Sequence, residues 1–175
     1  MRTNTGSLGL NEIAHVLEAT PALLRDLVGT LPKRALDWHP GAEKWCIKEI
    51  IGHLTEEDRW DFVGRIQVML DREEPLLAVN DQEEVARLRH DCDKSLASLL
   101  GEFGTVRYAS ISVVTNLNQT QLDRSGVHPK IGRIRVVELL HEWVYRDINH
   151  IRQIGTNIQR FLWDQLGKMQ QFYQH

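Results

Sequence analysis

The chain has 175 residues, of which 42% are hydrophobic and 26% charged, and its formal net charge is −3. This length and composition are typical of one globular domain, predicted to span 1–175 with its core at about 10–172. The slight negative charge argues against binding to nucleic-acid phosphates. No apolar run reaches the length of a membrane span, and two cysteines do not make a disulfide framework. We therefore expect a cytoplasmic protein with neither a membrane nor a nucleic-acid partner.

Apolar residues recur at helical spacing along almost the whole chain, which predicts an all-α fold. The first helix is predicted at about 9–29, with Pro21 as a kink or a restart point. The segment 30–45 contains proline and glycine and is predicted to be an ordered loop. The second helix is predicted to begin near Cys46 and to end before Pro75.

A third helix is predicted at about 81–103, with a continuation as far as Val114 after breaks at two glycines. Residues 116–131 are predicted to form a loop, and a fourth helix is predicted at about 133–154. The tail, 157–172, is predicted to be a fifth helix that closes the bundle. Four long helices joined by loops of different length indicate a bundle with at least one long crossover.

Two histidines lie on predicted helices that face one core. His53 is next to Leu54 on the apolar side of the second helix, and His150 lies on the fourth helix, four residues after Arg146. Residues four apart share a helix face. From the residues alone, His53 is either a buried neutral histidine with a hydrogen-bond partner or a metal ligand. His150 is either a residue near the end of the bundle or a ligand from a second helix.

Motifs in both halves of the chain carry a resemblance to a known family. The first half has A-T-P-A-L-L-R-D-L-V-G-T-L-P, H-P-G-A-E-K-W and then a helix with H-L-T-E-E-D. The second half matches a G-x-H-P-x-x-G element and a helix that reads W-x-x-H-D-x-x-H-x-x-Q-I. In order and spacing these segments resemble the DinB-like superfamily of four-helix-bundle proteins, which includes YfiT-type metal-dependent hydrolases and thiol transferases. The matching residues of the second half are Gly126, His128, Pro129, Gly132, Trp143, Asp147, His150, Gln153 and Ile154.

The resemblance implies a four-helix bundle of up-down-down-up type with a long crossover and an extra C-terminal helix. It also implies a divalent metal, zinc or nickel, with His53 and His150 as ligands. Asp147 would support a ligand or bond across helices, with a solvent-facing carboxylate as the alternative. His128 would line the mouth of the pocket or simply belong to a loop, and Trp143 would pack in the core or form a pocket wall.

Arg146 departs from the family pattern, because it stands where the family carries another histidine ligand. A guanidinium has no lone pair for a metal. Its charge also repels a dication, by roughly 8 kcal/mol at about 4 Å and an effective dielectric near 20. Glu57, four residues after His53, is the candidate third ligand. The alternatives are an anion clamp built on Arg146 or an ion pair from Arg146 to Glu57 or Asp58.

Two classes of function therefore stay open. The first is an enzyme, a metal-dependent hydrolase or a transferase that uses a low-molecular-weight thiol. The second is a non-catalytic bundle that binds a small anionic ligand, or has a structural role, without metal. In either case we expect a small-molecule substrate or ligand, and a homodimer because symmetric dimers are common.

Overall fold

The computed structural model describes residues 6–173, and most of them are helical. The predicted extent, 1–175, therefore includes a few terminal residues that lie outside the described part. In chain order the elements are α1 (Leu10–Val28), α2 (Lys33–Leu36), α3 (Ile47–Glu56), a π-helical segment (Glu57–Gly64), α4 (Arg65–Asp71), α5 (Gln82–Arg89), a 3-10 turn (Asp91–Asp93), α6 (Leu96–Thr115), α7 (Gln119–Leu122), β1 (Ser125–His128), β2 (Gly132–Arg135), α8 (Val136–Leu162) and a 3-10 tail (Trp163–Phe172).

Two layers of the core show the direction of each long helix. One layer contains Leu17, Phe62, Ile66, Val114, Leu139 and Trp143. The other contains Leu24, Ile51, Leu99, Phe103 and Ile154. Along the chain, α1 and α8 pass from the first layer to the second, whereas α3–α4 and α6 pass from the second to the first. The predicted all-α, up-down-down-up bundle is confirmed.

The long crossover joins the two helical segments that run in the same direction. Because α4 and α6 are parallel, the chain must return along the bundle between Asp71 and Leu96. It does so through α5 and the 3-10 turn, and α5 packs against α3. The predicted third helix is therefore two helices with different roles. α6 continues through Gly101 and Gly104, which the sequence predicted as breaks, because packing of its buried face outweighs about 1 kcal/mol per glycine.

The remaining differences lie at helix ends and in the two predicted loops, of which 30–45 contains the short helix α2. α1 runs through Pro21 without a break. The second predicted loop, 116–131, contains α7 and β1, and β1 pairs antiparallel with β2. Gly132 has a φ of 80°, which suits this tight hairpin. At the C-terminus α8 continues to Leu162 because nothing in 155–162 stops it, so the predicted extra helix is a 3-10 tail.

None of the helices among residues 6–173 combines the length and the apolarity that a bilayer crossing needs.

Candidate metal centre

Three buried side chains converge where α3 passes into the π-helical segment, opposite α8. His53 lies in α3, Glu57 is the first π-helical residue, and His150 lies on α8. Their ligand atoms all lie within 4.8 Å of one another. His53 Nε2 is 3.3 Å from Glu57 Oε1, and His150 Nε2 is 3.1 Å from Glu57 Oε2. The structure therefore brings together the two histidines and the carboxylate that the sequence singled out.

The imidazole rings of this cluster are oriented by their neighbours. His150 Nδ1 is 2.9 Å from Gln153 Oε1. An amide oxygen only accepts hydrogen bonds, so Nδ1 carries a proton and Nε2 can offer a lone pair to the cluster. The ring of His53 packs against Trp45, with ring centroids 4.5 Å apart. It meets His150 edge to face at 4.8 Å.

The close contacts between the histidines and Glu57 do not have good hydrogen-bond geometry. Both carboxylate oxygens of Glu57 and His150 Nε2 are buried without a well-formed hydrogen bond, although Arg146 forms an ion pair with Glu57 Oε1. Buried polar atoms almost always have partners, so unpartnered atoms at such short distances need an explanation. Ligand atoms that surround a cation have this arrangement, because each of them points to a shared centre rather than to one another.

Arg146 reaches the same carboxylate from one helical turn before His150. Its Nη2 contacts Glu57 Oε1, whereas His150 is closest to the other oxygen. The Arg146 side chain is 36% exposed, so it lies at the edge of the cluster and not in its centre. The ion pair that the sequence left open thus has Glu57 as its partner, and Asp58 binds elsewhere.

Opposing effects act on the Glu57 carboxyl. Burial by itself would raise the pKa of Glu57. The contacts with His150 and His53 and the charge of Arg146 outweigh it, so the pKa lies well below its usual range. Glu57 is therefore a carboxylate anion at neutral pH.

The π-helical segment begins with two consecutive carboxylates that are both buried. Successive side chains of a helix diverge by roughly 100°, so Glu57 and Asp58 face different neighbours. In the wider π-helical turns, both are at most 1% exposed. π-helical turns often mark functional sites. Here Glu57 faces the histidine cluster, and Asp58 faces a separate network.

That network is centred on Arg107, which the sequence analysis missed. Arg107 is 1% exposed and donates two hydrogen bonds to Asp58, of 2.6 and 2.8 Å. It donates two more to Asp147, of 2.6 and 2.9 Å. The signal in the sequence was a lone arginine in the weakly polar stretch G-T-V-R-Y-A-S-I-S-V-V.

Two residues predicted for the site belong to this network instead. Asp147 bonds across helices, to Arg107 and to the hydroxyl of Thr20 at 2.6 Å, and is bound to neither histidine. Trp143 is fully buried, stacks on Phe62 and donates from Nε1 to Asp58 at 2.8 Å. Trp143 is therefore part of the core. The interpretation as a pocket wall is wrong, because the indole is buried against Phe62 and Asp58 and does not line the cavity beside the cluster.

A cavity of about 230 Å³ opens beside the cluster. His128 of β1 lies in its lining, as the sequence proposed for the pocket mouth. Charged side chains of both signs share that lining: Glu57, Asp61, Arg65, Lys130, Glu142 and Arg146. Asp61 is held by Arg65 and Gln82, and burial raises its pKa. The cavity suits a small polar molecule.

Comparison with known proteins identifies the family. The sequence model of the DinB superfamily matches residues 16–154, which is most of the chain. This chain belongs to the DinB superfamily. Over 154 residues it is 23% identical to "Putative metal-dependent hydrolase OB0782" of Oceanobacillus iheyensis, with 88% of each chain covered.

The DinB fold is also seen in a solved structure. The chain superimposes on YfiT from Bacillus subtilis with a TM-score of 0.80 at 20% identity, over 90% of this chain and 92% of that one. YfiT is described as a probable metal-dependent hydrolase with an unusual four-helix-bundle topology. At this identity the likeness shows the shared fold, and it agrees with the up-down-down-up arrangement described above.

The residues of this DinB protein fit a divalent ion. Two imidazoles and one carboxylate are a ligand set of catalytic zinc sites, and imidazole also suits nickel. Glu57 supplies the negative charge that the imidazoles lack, and Gln153 fixes the ring of His150 as metal-binding histidines require. His150 Nε2 and the two carboxylate oxygens of Glu57, which have no well-formed hydrogen bond, are the atoms that an ion would bind.

Proposed function

We propose that this DinB protein is a metal-dependent hydrolase whose divalent ion is held by His53, Glu57 and His150. The observation that carries the proposal is the convergence of three buried side chains whose ligand atoms lie within 4.8 Å of one another without good hydrogen-bond geometry. The names of the two relatives support the same class of reaction. Glu57 would compensate for the histidine that Arg146 replaces.

The ion would lower the pKa of a bound water and polarise the bond to be hydrolysed. The chain itself supplies the surroundings for this chemistry. Gln153 keeps Nδ1 of His150 protonated, so that Nε2 faces the cluster. Arg146 and Lys130 line the cavity and would attract an anionic group of the substrate. At about 230 Å³ the cavity admits a small molecule only.

The alternative is a bundle that binds a small anion without metal. The ion pair between Arg146 and Glu57 favours it, because the guanidinium neutralises the carboxylate in the place of a cation. In that case Arg146 would hold the anion by its planar fork of donors. The two functions differ in what Glu57 binds, and the metal content of the protein separates them.

The test is elemental analysis of tag-free protein after incubation with zinc or nickel and dialysis. The wild type should carry about one more metal ion per chain than Glu57→Gln, because the variant lacks the anionic ligand. Hydrolysis of a panel of small carboxylic and phosphate esters should stop with a chelator and return with the metal. Glu57→Gln and His150→Ala should each lower that rate by at least about 100-fold.

Two variants serve as controls for this test. His128→Ala changes the cavity lining without touching a ligand, so it should keep the metal. Arg146→His removes the repelling charge and restores the histidine of the family, so it should bind the ion more tightly. If the wild type carries no more metal than Glu57→Gln while Arg146→His gains an equivalent, the metal-free alternative is correct.

A further inference from the structure

A second group of metal-binding side chains lies at the start of α3, outside the site described above. It consists of His39, Cys46, Glu49 and Cys92, whose ligand atoms all lie within 4.8 Å of one another. The two sulfurs are 3.2 Å apart, and His39 Nε2 is 2.9 Å from Glu49 Oε2 and 4.0 Å from Cys92 Sγ. These residues come from three separate segments: the loop after α2, the first turn of α3 and the 3-10 turn.

The arrangement does not suit a cysteine nucleophile activated by a histidine. Such a pair needs one ring nitrogen near the sulfur and the other near the carboxylate. Here the same atom, His39 Nε2, faces both Cys92 and Glu49. Burial also raises the pKa of both thiols, which opposes a free thiolate.

The distances are close to those of a tetrahedral zinc site. Zinc bonds of about 2.3 Å to sulfur and about 2.0 Å to nitrogen or oxygen place two sulfurs about 3.8 Å apart. The same geometry places a nitrogen and an oxygen about 3.3 Å apart. The observed separations of 3.2 Å and 2.9 Å are about half an ångström shorter than these values. His39 Nε2 and Cys92 Sγ, 4.0 Å apart, would have to approach by about half an ångström to reach the roughly 3.5 Å of a nitrogen and a sulfur on one zinc ion.

We propose that His39, Cys46, Glu49 and Cys92 form a second metal site that binds zinc. Two sulfurs, one imidazole and one carboxylate are a soft, four-ligand set that favours zinc over calcium or magnesium. With all four positions taken by protein the site is structural. It ties the loop after α2 and the 3-10 turn to the beginning of the helix that carries His53 and Glu57.

The surroundings already hold these ligands in place. Glu49 Oε2 accepts a hydrogen bond from the backbone N–H of Cys46 at 2.8 Å. Lys48 is 3% exposed, donates to the carbonyl oxygen of Cys92 and pairs with Asp37 at 2.8 Å. Its charge offsets part of the negative charge that two thiolates and a carboxylate would bring. Cys46 is fully buried, whereas the His39 side chain is 43% exposed and leaves a path for the ion.

Cobalt substitution of the reduced, tag-free full-length protein tests the proposal. Cobalt bound to thiolates gives a near-ultraviolet charge-transfer band, whereas cobalt bound by histidine and glutamate does not. We expect the wild type and Glu57→Gln to show this band, and zinc to displace the cobalt. Cys92→Ser should lower the intensity of the band to about half or less, because only the Cys46 thiolate remains. His39→Ala should weaken zinc binding by more than the roughly 10- to 100-fold that an outer hydrogen bond contributes.

The controls separate loss of the site from loss of the fold. His15→Ala removes an exposed histidine of α1 and should leave the band unchanged. Far-ultraviolet circular dichroism should show native helix content in each variant. The proposal is overturned if the reduced wild type gives no thiolate band, or if Cys92→Ser keeps the band at full intensity. It is equally overturned if the two cysteines form a disulfide and their reduced forms take up no metal.

Discussion

Arg107 satisfies several buried groups at once. Besides Asp58 and Asp147, it donates to the backbone carbonyl of Leu17 at 2.8 Å. Pro21 lies four residues after Leu17 and has no N–H, so this carbonyl lacks its usual helical partner. The guanidinium therefore supplies the hydrogen-bond donor that Pro21 cannot offer to the carbonyl of Leu17. This contact gives a physical reason why α1 runs through Pro21 without a break.

Replacing Arg107 by methionine should therefore be costly. Arg107→Met leaves two buried carboxylates without the cation that pairs with them, and the carbonyl of Leu17 without its donor. We expect the free energy of unfolding to fall by about 3–5 kcal/mol, as when one partner of a buried ion pair is removed. Urea unfolding followed by circular dichroism measures the change. As a control, Arg160→Met changes an exposed residue of α8, so its free energy of unfolding should stay within about 0.5 kcal/mol of that of the wild type. A similarly small loss for Arg107→Met would contradict the argument.

At the scale of elements, the contact between α3 and the crossover determines how the candidate metal centre is held. Gly52, directly before His53, faces Asp91 of the 3-10 turn. A Cβ at Gly52 would lie 1.8 Å from Asp91 Oδ2. Asp91 is 1% exposed and is held by Arg89 and Lys94, at 2.8 Å each, so it cannot easily move away. Glycine is therefore required for the close approach.

Two alanine variants separate this packing effect from helix propensity. Gly155→Ala, in α8, places a Cβ where no atom lies within 4 Å, so it should stabilise the protein by up to about 1 kcal/mol. Gly52→Ala gains the same propensity but displaces Asp91, and we expect a net loss of about 1–3 kcal/mol. Thermal unfolding of both variants measures the difference. Equal shifts in the midpoint would show that the approach of Asp91 is unimportant.

At the scale of the whole molecule, ion pairs between elements make stability depend on pH. Arg89 donates to Glu102 of α6 at 2.8 Å, and Arg59 lies 3.0 Å from the same carboxylate. The hydrogen bond from Arg89, more than any other contact, lowers the pKa of Glu102. A carboxyl with a lowered pKa in the folded state stabilises the fold above its unfolded pKa, about 4.3 for glutamate, and loses this contribution as the pH falls.

Glu102→Gln should therefore be less stable than the wild type at pH 7, and the difference should shrink as the pH falls below about 4. Burial raises the pKa of Asp58 and Asp61, which act in the opposite direction. Both carboxyls are present in the wild type and in Glu102→Gln, so their effects on stability cancel in the comparison. Urea unfolding across the pH range measures the difference. About 1 M salt should reduce it at pH 7, because Glu102 is partly exposed, and a pH-independent difference would refute the assignment.

The exposed surface of the molecule bears on the predicted homodimer. The tail exposes apolar side chains, among them Met169 at 54% and Phe172 at 69%. Such a surface is compatible with the homodimer expected from the sequence, which stays a prediction.

The sequence by itself determined the helices, the bundle and the residues around the candidate metal centre. Helical periodicity is local, so apolar spacing reveals which face of each helix is buried. The resemblance to the DinB family pointed to His53 and His150, and spacing along one helix pointed to Glu57. Helix ends were less certain because caps, glycines and prolines act together with packing.

Only the tertiary structure decided which side chains meet across the bundle. Arg107 binds carboxylates 49 and 40 residues away, and Cys46 meets Cys92 across 46 residues. No local pattern records such distances, because they depend on the packing of whole helices and on the path of the crossover. Glu57 and Asp58 are a further case, since these two neighbours contact different groups, His150 and Arg107, across the bundle. Local periodicity fixes which residues face inward, and long-range packing decides what each of them touches.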